Sequence, residues 1–159
     1  MDAEHATDRL SPRELAAWMQ GERKALQELC KLIRQHIADM PDVNRTGWLR
    51  ALNAAFERLA SHLERHFAAK QEDGYLRMVV EHRPTLAPQV DDMRREHDEI
   101  LHLAERIRQD LSTVTPEQRL IVADICARIQ RFMAVVADHE QREVMITMYV
   151  FSQDLGATD

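Results

Sequence analysis

The stretch TPEQRLIVADICARIQRFMAVVADHEQREVMITMYV, residues Thr115 to Val150, decides the fold of this chain. Its apolar residues recur every three or four positions, which is the pattern of a helix that buries one face against other helices. His139 and Glu143 stand on this apolar face, and because they are four residues apart their side chains point the same way. Burying an imidazole and a carboxylate is costly unless a partner compensates them. The pair therefore marks the candidate functional centre.

Composition indicates one helical domain. The chain has 159 residues, only 4 Gly and 5 Pro, with 45% hydrophobic and 30% charged residues, which suits an all-helical protein with a full hydrophobic core. The net charge of -6 argues against nucleic acid as a partner. No apolar run approaches a membrane span and no charged-then-apolar leader opens the chain. Cys30 and Cys126 predict ordinary thiols in a reducing cytoplasm rather than a disulfide framework.

Three further segments repeat the same apolar spacing. The first begins at the capping box Ser11-Pro12-Arg13-Glu14 and ends near Met40-Pro41; a second capping box opens the last helix at Thr115. The second helix starts after Thr46-Gly47 and the third around Pro84 to Pro88. Between them, Tyr75 to Val80 predicts either a short turn of helix or an extended connector.

These segments predict an all-α, up-down-up-down four-helix bundle over residues 11–150. We expect residues 1–10 to be a flexible N-terminus and residues 151–159 to be a C-terminal tail that leaves the last helix at or before Gly156. Val150, Phe151 and Leu155 offer apolar surface near that tail. A homodimer or another protein partner is left open by the sequence.

Polar residues interrupt the apolar face of each helix at one level. The rise of about 1.5 Å per residue brings these interruptions into a single layer when neighbouring helices run in opposite directions. Imidazoles and carboxylates converging inside a bundle have the composition of a metal site. The layer contains Glu22, His66, Lys70, His97, His139 and Glu143.

The order and placement of several motifs resemble the hemerythrin-like, HHE cation-binding proteins. The motifs are HLERHF at His62 to Phe67, EDGYL at Glu72 to Leu76, REHDEIL at Arg95 to Leu101, HEQRE at His139 to Glu143, and DLG at Asp154 to Gly156. The resemblance covers nearly the whole chain. It implies a four-helix bundle whose core holds a non-haem di-iron centre, with five histidines and two bridging carboxylates as ligands.

Only part of that ligand set is present. His66, His97 and His139 match three of the family's histidines, and Glu143 is the substitute for the carboxylate of the last helix. A complete di-iron centre is therefore not expected. The other ligand positions are occupied by Arg23, with Glu22 beside it, and by Lys70, Met93 and Val144.

Two interpretations follow from this incomplete set. In the first, His66, His97, His139 and Glu143 bind one ion, with Glu22 as a further ligand. Such ligands suit Fe(II), Mn(II) or Zn(II) and do not discriminate among these ions. The resemblance then implies a sensing, storage or redox-related role.

In the second interpretation no metal binds, and the domain is a protein-interaction or regulatory module. The ammonium group of Lys70 then pairs with Glu143 or Glu22 in a buried network with the histidines. His62 lies at the flank of the layer and is interpreted as a supporting residue. The sequence contains no phosphate-binding loop and no nucleophile with a plausible base, so an enzyme is the less favoured class.

Overall fold

The structure, a computed structural model, describes residues 11–71 and 75–156. Within these ranges it does not describe the side chains of residues 12, 69–71, 75 and 153–156. The N-terminus expected to be flexible, residues 1–10, lies outside the described residues. All regular structure in the described ranges is helical. The α-helices are α1 (Pro12–Ala38), α2 (Thr46–Gln71), α3 (Tyr75–His82), α4 (Ala87–Thr113) and α5 (Arg119–Gly156), with a 3-10 turn at Pro84–Leu86 before α4.

The start of α1 confirms the predicted capping box. Oγ of Ser11 accepts a hydrogen bond from the backbone N–H of Glu14 at 3.2 Å, and the backbone N–H of Ser11 donates to Oε2 of Glu14 at 2.9 Å. Two N–H groups that a helix leaves without partners are thereby satisfied. At the other end, Nε2 of His36 donates to the carbonyl of Trp48, and Nε1 of Trp48 donates to the carbonyl of His36, each at 2.8 Å. These two bonds fasten the end of α1 to the start of α2.

The last helix begins later than predicted and runs past Val150, and it ends at Gly156, the last position expected for its end. Residues Thr115 to Gln118 form a turn, in which the backbone N–H of Thr115 donates to Oε1 of Gln118 at 3.0 Å, and the helix begins only at Arg119. At the far end it continues beyond Val150 to Gly156, because Val150 and Phe151 are buried against α3. The prediction that Val150 and Phe151 form exposed apolar surface is therefore wrong.

The connector after α2 is the helix α3, which resolves the alternative between helix and extended chain. Leu76 and Val79 are buried, and they pack with residues near the start of α1, near the start of α4 and near the end of α5. A short helix was hard to predict here, because eight residues contain only two turns of periodicity.

The four long helices contact one another in a ring: α1 touches α2 and α5, and α4 touches the same two helices. The buried apolar residues of these helices and of α3 form two separate clusters. The larger contains Leu26, Phe56, Ile100 and Phe132, and the smaller contains Met19, Val79, Met93 and Phe151. Among the described residues, no helix is both long and apolar enough to cross a membrane.

Candidate metal centre

Polar side chains, buried or half-buried, occupy the space between the two apolar clusters. Along α1, Glu22 lies between Met19 and Leu26; along α4, His97 lies between Met93 and Ile100. In each case the neighbours on either side belong to different clusters. Because a helix repeats every 3.6 residues, these polar residues stay on the buried face of their helices. The centre is therefore a polar layer through the protein.

The inner group consists of His97, His139 and Glu143. Oε1 of Glu143 accepts hydrogen bonds from Nε2 of His97 at 2.5 Å and from Nε2 of His139 at 2.7 Å. The side chains of His97 and Glu143 have 0% exposure, and that of His139 has 1%. One carboxylate oxygen thus lies between two imidazoles in a site closed to water.

A second carboxylate orients His139 from the opposite side. Oε2 of Glu96 accepts from Nδ1 of His139 at 2.6 Å, and Oε1 of Glu96 accepts from Arg142 at 2.5 Å. Burial by itself would lower the pKa of His139, but the hydrogen bond and charge of Glu143, together with Glu96, outweigh it and raise the pKa. Burial would raise the pKa of Glu96, yet its bonds to Arg142 and His139 lower that pKa. Glu96 is therefore an ionised partner of the ring.

The outer group consists of Glu22, His62 and His66. Oε2 of Glu22 lies 3.3 Å from Nε2 of His62 and 3.3 Å from Nδ1 of His66. Burial lowers the pKa of His62, and the charge of Glu22 opposes that effect only in part. The lowered pKa of His62 favours the neutral form of the ring, which is the form that binds metal ions. This group repeats the pattern of the inner group, with one carboxylate oxygen facing two imidazole nitrogens.

Glu140 connects the two groups. Nε2 of His66 donates to Oε1 of Glu140 at 3.1 Å. His66, Glu140 and Glu143 each offer one ligand atom, and these three atoms lie within 4.8 Å of one another. The same is true of the three ligand atoms of the inner group and of the three ligand atoms of the outer group. Since His66 and Glu143 belong to two such sets each, the donors form a continuous series across the protein.

Aromatic rings hold the histidines in place. Phe67 stacks on His97 with ring centroids 4.1 Å apart and meets His139 edge-on at 5.7 Å. Trp18 stacks on His66 at 5.8 Å. These contacts restrict the rotation of the imidazoles, and a fixed ring orientation is a requirement for a well-defined metal site.

The predicted ligands are distributed over this series rather than around one point. His97, His139 and Glu143 lie together, and His66 lies beside them through Glu140 and Glu143. Glu22 lies with His62 and His66. The prediction for Lys70 falls on a side chain outside the described residues.

Two functional side chains were not among the predicted residues. Glu140 is buried, and the signal that identifies it is a second line at spacings of four and three that also passes through Val136, Glu143 and Thr147. Glu96 carries a weaker signal, since it only precedes His97 in the sequence and points to His139 from the edge of the layer.

The donors of both groups suit a divalent first-row transition metal. Two imidazole nitrogens and one carboxylate oxygen are the ligands of many zinc and non-haem iron sites, and they leave coordination positions for water or a small molecule. A hard ion such as Ca²⁺ prefers six or more oxygen ligands and does not fit this composition.

Comparison with known proteins points to the same chemistry. The family described as Hemerythrin HHE cation binding domain matches residues 14–147 of the chain. The match includes α2, α3 and α4, together with all the residues of the inner and outer groups. Comparisons with curated proteins and with solved structures found no significant match.

Proposed function

The chain belongs to the hemerythrin HHE cation-binding family, and we propose that it binds a divalent non-haem metal ion in its inner group. The observation that carries this proposal is that His97 and His139 converge on one carboxylate oxygen of Glu143 in a fully buried site. Iron, manganese and zinc all suit these ligands, and the family makes iron the first ion to test.

We propose further that the fold supporting this site is a four-helix bundle in up-down-up-down order, and the order of the two apolar clusters along the helices supports this proposal. Along α1 the chain passes from the smaller apolar cluster through the polar layer to the larger one, and α4 does the same. Along α5 the order is reversed, since Val136 is in the larger cluster and Val150 in the smaller. α1 and α4 therefore run parallel to each other and antiparallel to α5, as the alternating order requires.

The inner group fits an ion after a small expansion. Two ligand atoms that each lie about 2.1 Å from a metal ion are about 3.0 to 3.4 Å from each other when the ligand–metal–ligand angle is between about 90° and the tetrahedral value. The two contacts of Glu143 are 2.5 and 2.7 Å long, which are hydrogen-bond distances. An ion would therefore replace the protons between the carboxylate and the rings, and metal binding would release protons.

The chain's own residues prepare this exchange. Glu96 fixes the orientation of His139, and Phe67 fixes that of His97. His66 and Glu140 lie beside Glu143 and are hydrogen-bonded to each other, so they border the inner group without being counted among its ligands. Three protein ligands leave a position open for a small molecule, which supports a sensing, storage or redox-related role in place of oxygen carriage by a complete di-iron centre.

Elemental analysis of protein purified without chelators tests the proposal. We expect bound metal in the parent, loss of inner-site metal in His97→Ala and in His139→Ala, and full retention in His102→Gln. His102 is on α4 like His97 but outside both groups, so it controls for weak binding to surface histidines. Metal content that is unchanged in both inner variants would contradict the proposal.

The second candidate is a metal-free domain that acts through protein contacts. One observation favours it: the inner group is already connected by short hydrogen bonds, so its polar atoms have partners without an ion. In that case Lys70 supplies a positive charge to the layer, and exposed side chains such as Met145, Met148 and Tyr149 provide apolar surface on α5.

Substitution of Lys70 separates the two candidates. If Lys70 pairs with a buried carboxylate, Lys70→Met should lower the free energy of unfolding by roughly 3–5 kcal/mol. Lys70→Glu should destabilise the protein similarly in buffer, yet bind ferrous or manganous ion more tightly than the parent, because it restores the carboxylate of the family pattern. Denaturant melts with and without metal measure both effects. A Lys70→Met protein as stable as the parent would exclude the ion-pair network.

A further inference from the structure

We propose that the outer group is a second metal site, nearer to solvent than the inner one, in which Glu22, His62 and His66 bind a divalent first-row transition-metal ion. The inference concerns different residues from the inner site and does not depend on an ion being bound there. His66 matches a histidine of the family pattern that the sequence resembles, but neither Glu22 nor His62 stands at a ligand position, so this combination of ligands is a property of this chain.

The two histidines are placed by the geometry of α2. His62 and His66 are four residues apart, and their rings are stacked with centroids 5.8 Å apart. Histidines at this spacing on one helix face can bind the same ion, as they do in the zinc-binding H-E-x-x-H motif. Glu22 approaches them from α1 and supplies the third ligand atom. Two helices thus form the site without any loop.

The two distances from Glu22 to the histidines already match those expected around a coordinated ion. Oε2 of Glu22 lies 3.3 Å from Nε2 of His62 and 3.3 Å from Nδ1 of His66. Both distances are within the separation of about 3.0 to 3.4 Å expected between two ligand atoms of one ion. Among the described residues, Nε2 of His62 is buried and has no hydrogen-bond partner. An ion would give that nitrogen a partner and would need little rearrangement, in contrast to the inner group.

Glu140 holds His66 in the tautomer that the site needs. Because Nε2 of His66 donates to Glu140 at 3.1 Å, a neutral ring has its lone pair on Nδ1, the nitrogen that faces Glu22. A carboxylate that accepts from the second nitrogen of a ligating histidine is a recurring feature of metal sites and strengthens the ligand. Glu140 is therefore a positioning residue for the outer site.

Exposure distinguishes the outer from the inner site. The side chains of Glu22 and His62 are 28% and 15% exposed, whereas those of the inner group are at most 1% exposed, so an ion reaches the outer group with less opening of the protein. Near His62, the negative charges of Glu22 and Glu140 oppose the effects of His66 and Arg65. The outer site is therefore less enclosed than the inner one and contains carboxylates that a cation can bind, and it should exchange its ion faster than a buried site.

The experiment is a titration of the chelator-treated protein with Zn(II), followed by metal analysis and by the absorption of Co(II) as a probe of coordination. We expect two equivalents of Zn(II) in the parent and in His102→Gln. His62→Gln and Glu22→Gln should each lose one equivalent, together with the more rapidly exchanging part of the Co(II) signal. Circular dichroism checks that each variant is folded, and both positions are partly exposed and should tolerate the change.

Comparison with the inner variant separates this inference from the proposed function. His97→Ala should lose the slowly exchanging equivalent and keep the outer one. If His62→Gln and Glu22→Gln both bind as much Zn(II) as the parent, the outer site is excluded, whatever His97→Ala does. If those two variants lose one equivalent while His97→Ala loses none, the outer site stands and the inner site is excluded. Failure of the parent to bind Zn(II) or Co(II) excludes both.

Discussion

Glu96 holds His139 from the side opposite to Glu143: its Oε2 lies 2.6 Å from Nδ1 of the ring. The other nitrogen, Nε2, lies 2.7 Å from Glu143. A histidine held between two carboxylates cannot rotate without breaking a charged hydrogen bond, so its position is fixed before any ion arrives.

We therefore predict that Glu96→Gln weakens metal binding at the inner site by roughly 10–100-fold without abolishing it. The amide can still accept a hydrogen bond, but it removes the negative charge that raises the basicity of His139. Competition with a chromophoric chelator measures the affinity. Asp138→Asn is the matched control, because Asp138 also pairs with Arg142, at 3.3 Å, whereas the hydrogen bonds of the His139 ring go to Glu96 and Glu143. Equal affinities for the two variants would contradict the role of Glu96.

Phe67 connects the stability of the core to the geometry of the site. It is 1% exposed and stacks on His97. Phe67→Ala should lower the free energy of unfolding by roughly 3–5 kcal/mol, because it leaves a cavity beside the ring. Phe67→Leu should cost less and still weaken metal binding at the inner site. Leu103→Ala at a half-exposed position of α4 is the control, with an expected change within about 0.5 kcal/mol.

Arg108 links α4 to α2 through two carboxylates. Its guanidinium donates to Glu57 at 2.7 Å and to Glu64 at 2.6 Å. These groups are partly exposed, so Arg108→Ala should destabilise the protein by only about 1 kcal/mol, and less at high salt. Arg94→Ala removes a more exposed pair within α4 and should have a smaller effect. Denaturant melts at low and high ionic strength test this; an effect of Arg108→Ala that does not depend on salt would contradict it.

The two thiols should be unreactive while the protein is folded. Burial raises the pKa of Cys30 and of Cys126, with only partial opposition from Arg34 and Arg45 respectively. Because the thiolate is the reactive form, both cysteines should react with a disulfide reagent much more slowly near pH 8 than a free thiol does. Raising the pH should accelerate the reaction, and denaturant should make both sites react fast. Rapid labelling of either cysteine in native buffer would show that the side chain is accessible.

Most of the helices could be predicted from the sequence because they are long enough to show a clear apolar repeat. The repeat of apolar residues predicted α1, α2, α4 and α5, and the capping box at Ser11 is confirmed by two hydrogen bonds. The predicted start at Thr115 was wrong because the same residue types also form a turn, which delays the helix to Arg119. The extension of α5 past Val150 depends on its contacts with α3, which the local pattern does not contain.

The composition of the polar layer was also predictable, but its division into groups was not. His66, His97, His139, Glu143 and Glu22 interrupt their apolar faces and can be found from spacing. Whether Glu22 belongs with His66 or with His139 depends on the rotation of α1 about its axis, which spacing along one helix does not define. Glu140 does not follow from a single line of apolar positions along α5, because two lines of that helix are buried and Glu140 lies on the second.

The division of the apolar core by the polar layer has a consequence for how the protein opens. The smaller cluster, which includes α3 and the end of α5, shares no apolar residue with the larger one. Such a segment can unfold as a cooperative unit at a lower free energy than the whole molecule. Amide protons of α3 and of the last turns of α5 should therefore exchange with solvent earlier than those in the middle of α2. An ion bound across the layer would couple the two halves and slow the exchange in both.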